Sequence, residues 1–131
     1  MKLVLPEADS GVIDGLVREA AFAAGSRVLA TESRSAIARR LHHVKAPPAA
    51  VESSRALCRD WLRTILFVEL DGELANDAGA LAERHLLRSL DAIQLASALR
   101  LARSADDVVM ATLDGDLRRA CRAESLRVFP A

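Results

Sequence analysis

Three acidic residues that lie far apart in the sequence are the best candidates for chemistry: Glu32, Asp91 and Asp114. Asp91 is the only charge well inside the apolar face of a predicted helix at residues 90–103, where a carboxylate is costly unless it is paired or binds a metal. If the three carboxylates converge, they raise one another's pKa, and a cation between them relieves the repulsion. Oxygen ligands without Cys or His favour Mg²⁺ or Mn²⁺, and such metals activate water for hydrolysis of a phosphodiester.

Each of the three acids also has a purely structural interpretation. Asp91 can be a first-turn residue that interacts with the helix dipole. Asp114 can form a turn with Gly115 or cap the next helix, and Glu32 can be a solvated helix residue. The position of the three residues in the fold decides between these interpretations. If they lie far apart, the chain is a helical interaction domain without a site.

The composition predicts one domain that spans residues 1–131, since this length is usual for a single domain. The chain is 51% hydrophobic and 3% aromatic, and its 18 basic and 18 acidic residues cancel, so the net charge does not indicate a nucleic-acid partner. Cys58 and Cys121 fit no metal or redox spacing and are expected in the core. No signal peptide or membrane-length apolar run is visible, which predicts a cytoplasmic protein without a membrane partner.

Hydropathy predicts helices that alternate with short apolar strands. Ser89 is expected to N-cap the helix that carries Asp91, with Gln94, Ser97 and Arg100 on its polar side. The predicted helices cover residues 9–20, 26–43, 50–63, 73–85, 90–103 and 116–123, and the predicted strands cover residues 21–25, 65–70, 107–112 and 126–129. This alternation predicts an α/β fold with a short, mostly parallel sheet flanked by helices. Ligands of such sheets bind beyond the carboxyl ends of the strands, which is where Asp114 is expected.

Several of these segments together resemble PIN-domain ribonucleases of the VapC toxin type. The family signature is matched strongly by LRSLDAIQLA at residues 87–96, and the next acidic motif by VMATLD at residues 109–114 with Leu117. An early helix of the family, which runs from a Ser to a Glu, resembles the segment that contains Ser26, Glu32 and AIARR at residues 36–40. The closing LRVF at residues 126–129 also matches, so the resemblance covers essentially the whole chain.

The resemblance implies a three-layer PIN-like domain that acts as a Mg²⁺- or Mn²⁺-dependent endoribonuclease on cellular RNA. It also implies a homodimer and neutralisation by a VapB-type antitoxin. Carried over by motif, the catalytic, metal-binding acids would be Glu32, Asp91 and Asp114, with Asp116 as an accessory metal-site acid. A helix-capping role for Asp116 fits equally well. The hydroxyl groups of Ser89 and Thr112 would support the site through hydrogen bonds.

The N-terminus departs from the family pattern. The family opens with a strand that ends in an Asp, followed by a helix that resembles residues 2–7 of this chain. We therefore expect that the central first strand and its Asp are missing, through an N-terminally shortened chain, and that cleavage is reduced or absent. Alternatively, residues 2–5 form the strand and Glu7 or Asp9 supplies the acid. The alternative function is a catalytically inactive PIN module that only binds its antitoxin and dimerises.

Overall fold

The structure is a computed structural model that describes the backbone of residues 3–5 and 22–131 and the side chains of residues 23–131. The described strands are β1 Leu3–Leu5, β2 Phe22–Ser26, β3 Ile65–Val68, β4 Val108–Ala111 and β5 Arg127–Phe129. The described helices are α1 Val28–His43, α2 Pro48–Leu62, α3 Gly72–His85, α4 Ser89–Ala102 and α5 Gly115–Ala123. The strands form one parallel sheet in the order β3-β2-β1-β4-β5. The predicted α/β class with a short parallel sheet is confirmed.

The centre of the sheet is formed by residues 3–5. Strand β1 pairs with β2, where Leu3 faces Phe22, and with β4, where Leu5 faces Met110. This is the arrangement that the alternative interpretation of residues 2–5 expects. The hypothesis of a shortened chain stays a prediction. Glu7, Asp9 and the predicted helix at residues 9–20 lie outside the described residues.

Local sequence signals explain where two of the helices begin. Helix α2 begins at Pro48, two residues before the predicted start, because a proline fits the first helical position, where no N–H partner is needed. Helix α3 begins after Asp71, whose carboxylate accepts a hydrogen bond of 2.8 Å from the Leu74 N–H. The spacing of Leu74, Ala78 and Leu81 predicts an apolar stripe along this helix, and the burial of all three residues confirms it.

The sequence predicts Ser26 as the N-cap of the helix at residues 26–43 and Ser89 as that of α4, and both predictions are wrong. Ser26 does not cap α1, because its backbone pairs with Val68 in the sheet and the helix begins only at Val28. The Ser26 Oγ instead accepts a hydrogen bond of 3.3 Å from the Val28 N–H. Ser89 is already the first residue of α4, so that Arg88, with an extended backbone and no capping side-chain hydrogen bond, takes the N-cap position.

Helix α4 lies at the centre of the packing. It contacts α3 and α5 as well as β2 and β4, so it is covered on more than one side. For this reason Gln94 and Ser97, the polar residues expected on one side of the helix with Arg100, are buried. Cys58 and Cys121 are both buried, as predicted. None of the described helices has the length and apolar character needed to cross a lipid bilayer.

Candidate active site

One edge of the sheet collects the carboxyl ends of three neighbouring strands, because β2, β1 and β4 are adjacent and parallel. From this edge β2 leads directly into α1, which carries Glu32. Strand β4 leads through Thr112 and Leu113 to Asp114, the N-cap of α5. Helix α4, which carries Asp91 in its first turn, contacts both strands. The topology thus supplies a reason for residues so distant in sequence to approach one another.

Asp91 and Asp114 approach the same cationic group. The Arg88 Nε lies 3.6 Å from the Asp91 Oδ2, and a terminal nitrogen of the same guanidinium lies 3.6 Å from the Asp114 Oδ2. The Asp91 side chain is 15% exposed and that of Asp114 is 27% exposed, whereas Arg88 is 85% exposed. Two partly buried carboxylates therefore face one cation at the rim of the sheet.

The orientation of Asp114 is determined by the turn that connects β4 to α5. Its Oδ1 accepts a hydrogen bond of 2.9 Å from the Leu117 N–H, which is the usual N-cap interaction. Its own N–H donates to the Thr112 Oγ1 at 3.1 Å, and Thr112 is fully buried. The second carboxylate oxygen, Oδ2, is the one that faces Arg88. One oxygen of Asp114 thus caps α5 while the other faces Arg88, and the expected hydrogen bond with the Thr112 hydroxyl group is present.

Glu32 is connected to α4 through a buried amide. The Gln94 Nε2 donates a hydrogen bond of 3.1 Å to the Glu32 Oε1. The Gln94 Oε1 accepts from the Ser26 N–H at 3.4 Å, at the carboxyl end of β2. Gln94 follows Asp91 by three residues on the same helix, and side chains at this spacing are neighbours. Glu32 is therefore held next to the helix that carries Asp91.

The described residues bring two of the three predicted acids onto one cation and link the third to the same helix. They contain no group of three or more His, Cys, Asp or Glu side chains placed to hold a metal ion. Two carboxylates that face the same group disfavour each other's charged form, and a cation between them relieves this repulsion. The Arg88 guanidinium neutralises the two carboxylates only weakly, because ion pairs at exposed side chains contribute little to stability.

Comparison with known proteins identifies the family of the chain. Two proteins of Mycobacterium tuberculosis, named Ribonuclease VapC45 and Ribonuclease VapC49, are each 30% identical over 131 residues, which is 100% of this chain and 90% of theirs. The chain belongs to the VapC ribonuclease family. No protein-family model matches the chain. The resemblance drawn from the signature at residues 87–96 is confirmed by these VapC relatives, which match over the whole length of this chain.

Asp116, the accessory acid expected from the VapC resemblance, lies in the first turn of α5. Its carboxylate pairs with Arg119 at 2.8 Å, and its side chain is 67% exposed. The capping position of this helix is taken by Asp114. A helix-capping role for Asp116 is therefore wrong, and its role as an accessory metal-site acid stays a prediction.

Two residues of this candidate site have no site role in the sequence analysis. Gln94 is expected there only on the polar side of its helix, although its spacing of three residues from Asp91 on that helix is a usable signal. For Arg88 the sequence suggests a contact with RNA phosphates, whereas the residue lies between two carboxylates. Its position before the first turn of α4 does not by itself indicate an approach to Asp114, because that approach depends on how α4 and α5 pack.

Proposed function

We propose that this protein is a metal-dependent endoribonuclease toxin of the VapC type, which hydrolyses phosphodiester bonds of cellular RNA. The observation that carries the proposal is the convergence of Asp91 and Asp114 on one cation beyond the carboxyl ends of parallel strands. The VapC relatives are named ribonucleases, and this supports RNA as the substrate.

Mg²⁺ or Mn²⁺ is the proposed cofactor. Mg²⁺ is usually held by one or two carboxylates, several waters and the phosphates of the substrate, so the Asp91 and Asp114 pair fits it. Glu32 would add a third carboxylate, and Asp116 would act from the first turn of α5. The ion would polarise the phosphodiester and lower the pKa of a bound water, which makes a side-chain nucleophile unnecessary.

The chain's own residues would then prepare the site. Thr112 and the Leu117 N–H orient Asp114, so that one of its oxygens is committed to the helix cap and the other faces the site. The exposed Arg88 guanidinium is available to a phosphate once another cation neutralises the two carboxylates. By analogy with the family, water is the nucleophile and the products carry 5′-phosphates.

The proposed partners follow from the family and the charge of the site. A VapB-type antitoxin would neutralise the enzyme, and an arginine of such a partner would fit between Asp91 and Asp114 as Arg88 does. We also propose that the protein forms a homodimer and acts in the cytoplasm.

A catalytically inactive PIN module, which only binds its antitoxin and dimerises, is the second candidate. It is favoured by the lack of a group of three metal-ligating side chains in the part of the chain that the structure describes. The two candidates differ in what a divalent ion does to the protein, because only the enzyme requires the ion at Asp91.

The test is a cleavage assay with the full chain, single-stranded RNA, and Mg²⁺, Mn²⁺ or EDTA. We expect cleavage with metal that is lost in EDTA and in Asp91→Asn. Asp60→Asn is the matched control, because Asp60 is an exposed acid of α2 that pairs with Arg63 at 3.9 Å. Thermal stabilisation by Mn²⁺ that disappears in Asp91→Asn supports the enzyme. If the wild type shows no cleavage and no Mn²⁺-dependent stabilisation, the proposal is overturned in favour of the inactive module.

A further inference from the structure

We infer that Gln94 is a positioning residue of the site, which holds the Glu32 carboxylate towards the helix that carries Asp91. The inference rests on the proposed function, because it concerns how the chain prepares its own metal site. Its basis is a buried amide whose two ends contact two different elements: the end of β2 at Ser26 and helix α1 at Glu32.

The chemistry of its partners determines the orientation of the Gln94 amide. The Ser26 N–H can only donate, so it must face the amide oxygen. The ionised Glu32 carboxylate can only accept, so it must face the amide nitrogen. A flipped amide would place two donors together at one end and two acceptors at the other. Because Gln94 is 9% exposed, water cannot easily replace either bond.

The same helix thus provides one site carboxylate and restrains another. Asp91 belongs to α4 itself, and Gln94 follows it by three residues on a neighbouring position of the helix. Glu32 is half-buried and belongs to α1. The buried residue of this helix is Leu29. A helix that is anchored so lightly needs a specific contact to keep a carboxylate in place, and the Gln94 amide provides one.

A merely structural role for Gln94 is the competing explanation, and it predicts a loss of stability alone. The matched control is Ser97→Ala, because Ser97 is a buried polar residue of the same helix whose Oγ donates to the Ile93 carbonyl oxygen at 2.7 Å. That hydrogen bond lies within α4 and touches neither acid. Gln94→Met preserves the approximate volume and removes both bonds, whereas Gln94→Asn keeps an amide that is one methylene too short to bridge both partners.

The experiment measures Mn²⁺ affinity of the full chain by calorimetric titration, together with the melting temperature in EDTA. We expect Gln94→Met and Gln94→Asn to weaken Mn²⁺ binding by about tenfold, which is the lower end of the effect of removing a hydrogen-bond partner of a metal ligand. Ser97→Ala should keep the wild-type Mn²⁺ affinity. In a Glu32→Ala background, Gln94→Met should have no further effect on Mn²⁺ affinity, because its effect acts through Glu32.

Each outcome is decisive. Wild-type Mn²⁺ affinity in both Gln94 variants, with a melting temperature lowered as in Ser97→Ala, overturns the inference and leaves the proposed function intact. Equal losses of affinity in the presence and absence of Glu32 also overturn it. If the wild type itself binds no Mn²⁺, both the inference and the proposed function are overturned. If Gln94→Met does not fold, the comparison of Gln94→Asn with Ser97→Ala decides.

A second measurement tests the geometry without metal. The side-chain NH₂ of Gln94 gives a pair of signals in a ¹⁵N-correlated NMR spectrum, and the hydrogen bond to the Glu32 carboxylate should separate them from those of an exposed glutamine. Glu32→Ala should move this pair towards the exposed position. Signals that do not change in Glu32→Ala would contradict the hydrogen bond and, with it, the inference.

Discussion

Asp114 combines two tasks in one side chain, and the two can be separated by substitution. Its Oδ1 caps α5 by accepting from the Leu117 N–H, while its Oδ2 faces the cationic group between the two acids. Asp114→Asn keeps a capping oxygen and removes the charge. Asp114→Ala removes both. We therefore expect the two variants to be equally impaired at the site and to differ in stability.

The expected difference in stability follows from the N-cap. Replacing a capping Asp by Ala costs about 1 kcal/mol, whereas Asn caps about as well as Asp. For a chain of 131 residues, a loss of 1 kcal/mol lowers the melting temperature by about 3–4 °C. Asp114→Asn should melt within about 1 °C of the wild type. Both variants lose a proposed metal ligand, so both should weaken Mn²⁺ binding by about tenfold or more.

The assays are thermal unfolding in EDTA and Mn²⁺ titration of the same protein samples. Asp60→Asn serves as a control for loss of a surface carboxylate, since Asp60 is an exposed residue that pairs with Arg63. The reasoning is refuted if Asp114→Asn and Asp114→Ala melt at the same temperature, because the cap would then contribute nothing. The reasoning is also refuted if Asp114→Asn binds Mn²⁺ as tightly as the wild type, because the negative charge of Asp114 would then not contribute to Mn²⁺ binding.

Three further predictions follow from single contacts. Arg88→Gln should raise Mn²⁺ affinity by about 2- to 30-fold, because the ion no longer competes with a guanidinium; an unchanged affinity by titration would contradict this. Arg100 donates hydrogen bonds of 3.0 and 3.1 Å to Asp71 and helps to hold the pKa of Asp71 at about 2, below its usual 3.8. Since the pKa of Asp71 is lower in the folded state than in the unfolded state, this contact stabilises the fold above about pH 4, and the stabilisation is lost as the pH falls towards 2. Arg100→Gln should therefore reduce the difference in urea midpoint between pH 6 and pH 2. A difference as large as that of the wild type would contradict the contact. Gly25→Ala places a Cβ 2.5 Å from the Cδ2 of the buried Leu29 and should destabilise by about 1 kcal/mol in urea unfolding; a wild-type midpoint would show that the Leu29 side chain moves aside.

Short-range signals were sufficient to predict most of the elements. The run of Ile65, Leu66, Phe67 and Val68 is apolar and β-branched or aromatic in part, and it forms β3. Similarly, the spacing of Leu74, Ala78 and Leu81 predicted the buried face of α3. In both segments the pattern of one element decides its own burial, so no knowledge of its neighbours was needed.

Burial on α4 was harder to predict because it depends on the neighbours. A helix wheel divides residues into two faces, but α4 contacts α3, α5, β2 and β4 at once. Gln94 and Ser97 are consequently buried although they are polar, and their hydrogen-bonding groups find partners in Glu32, Ser26 and the Ile93 carbonyl. A sequence pattern that sorts residues by polarity cannot identify a polar residue that is buried with its partners.

Apart from the family resemblance, the approach of Asp91 and Asp114 to one cation follows from the topology and not from either local segment. The position of Arg88 between them determines how strongly a metal ion must compete for the two carboxylates, and the sequence alone does not indicate this. At 3.6 Å, each of its two charge contacts is worth about 1 kcal/mol in water. Exposed ion pairs contribute about 0.2–1 kcal/mol, so both contacts together weaken the binding of a competing cation by about thirtyfold at most. A divalent ion held by two carboxylates can exceed this, because its charge is double and it carries no side-chain entropy. Arg88 can thus neutralise the two acids in the absence of metal without preventing its entry.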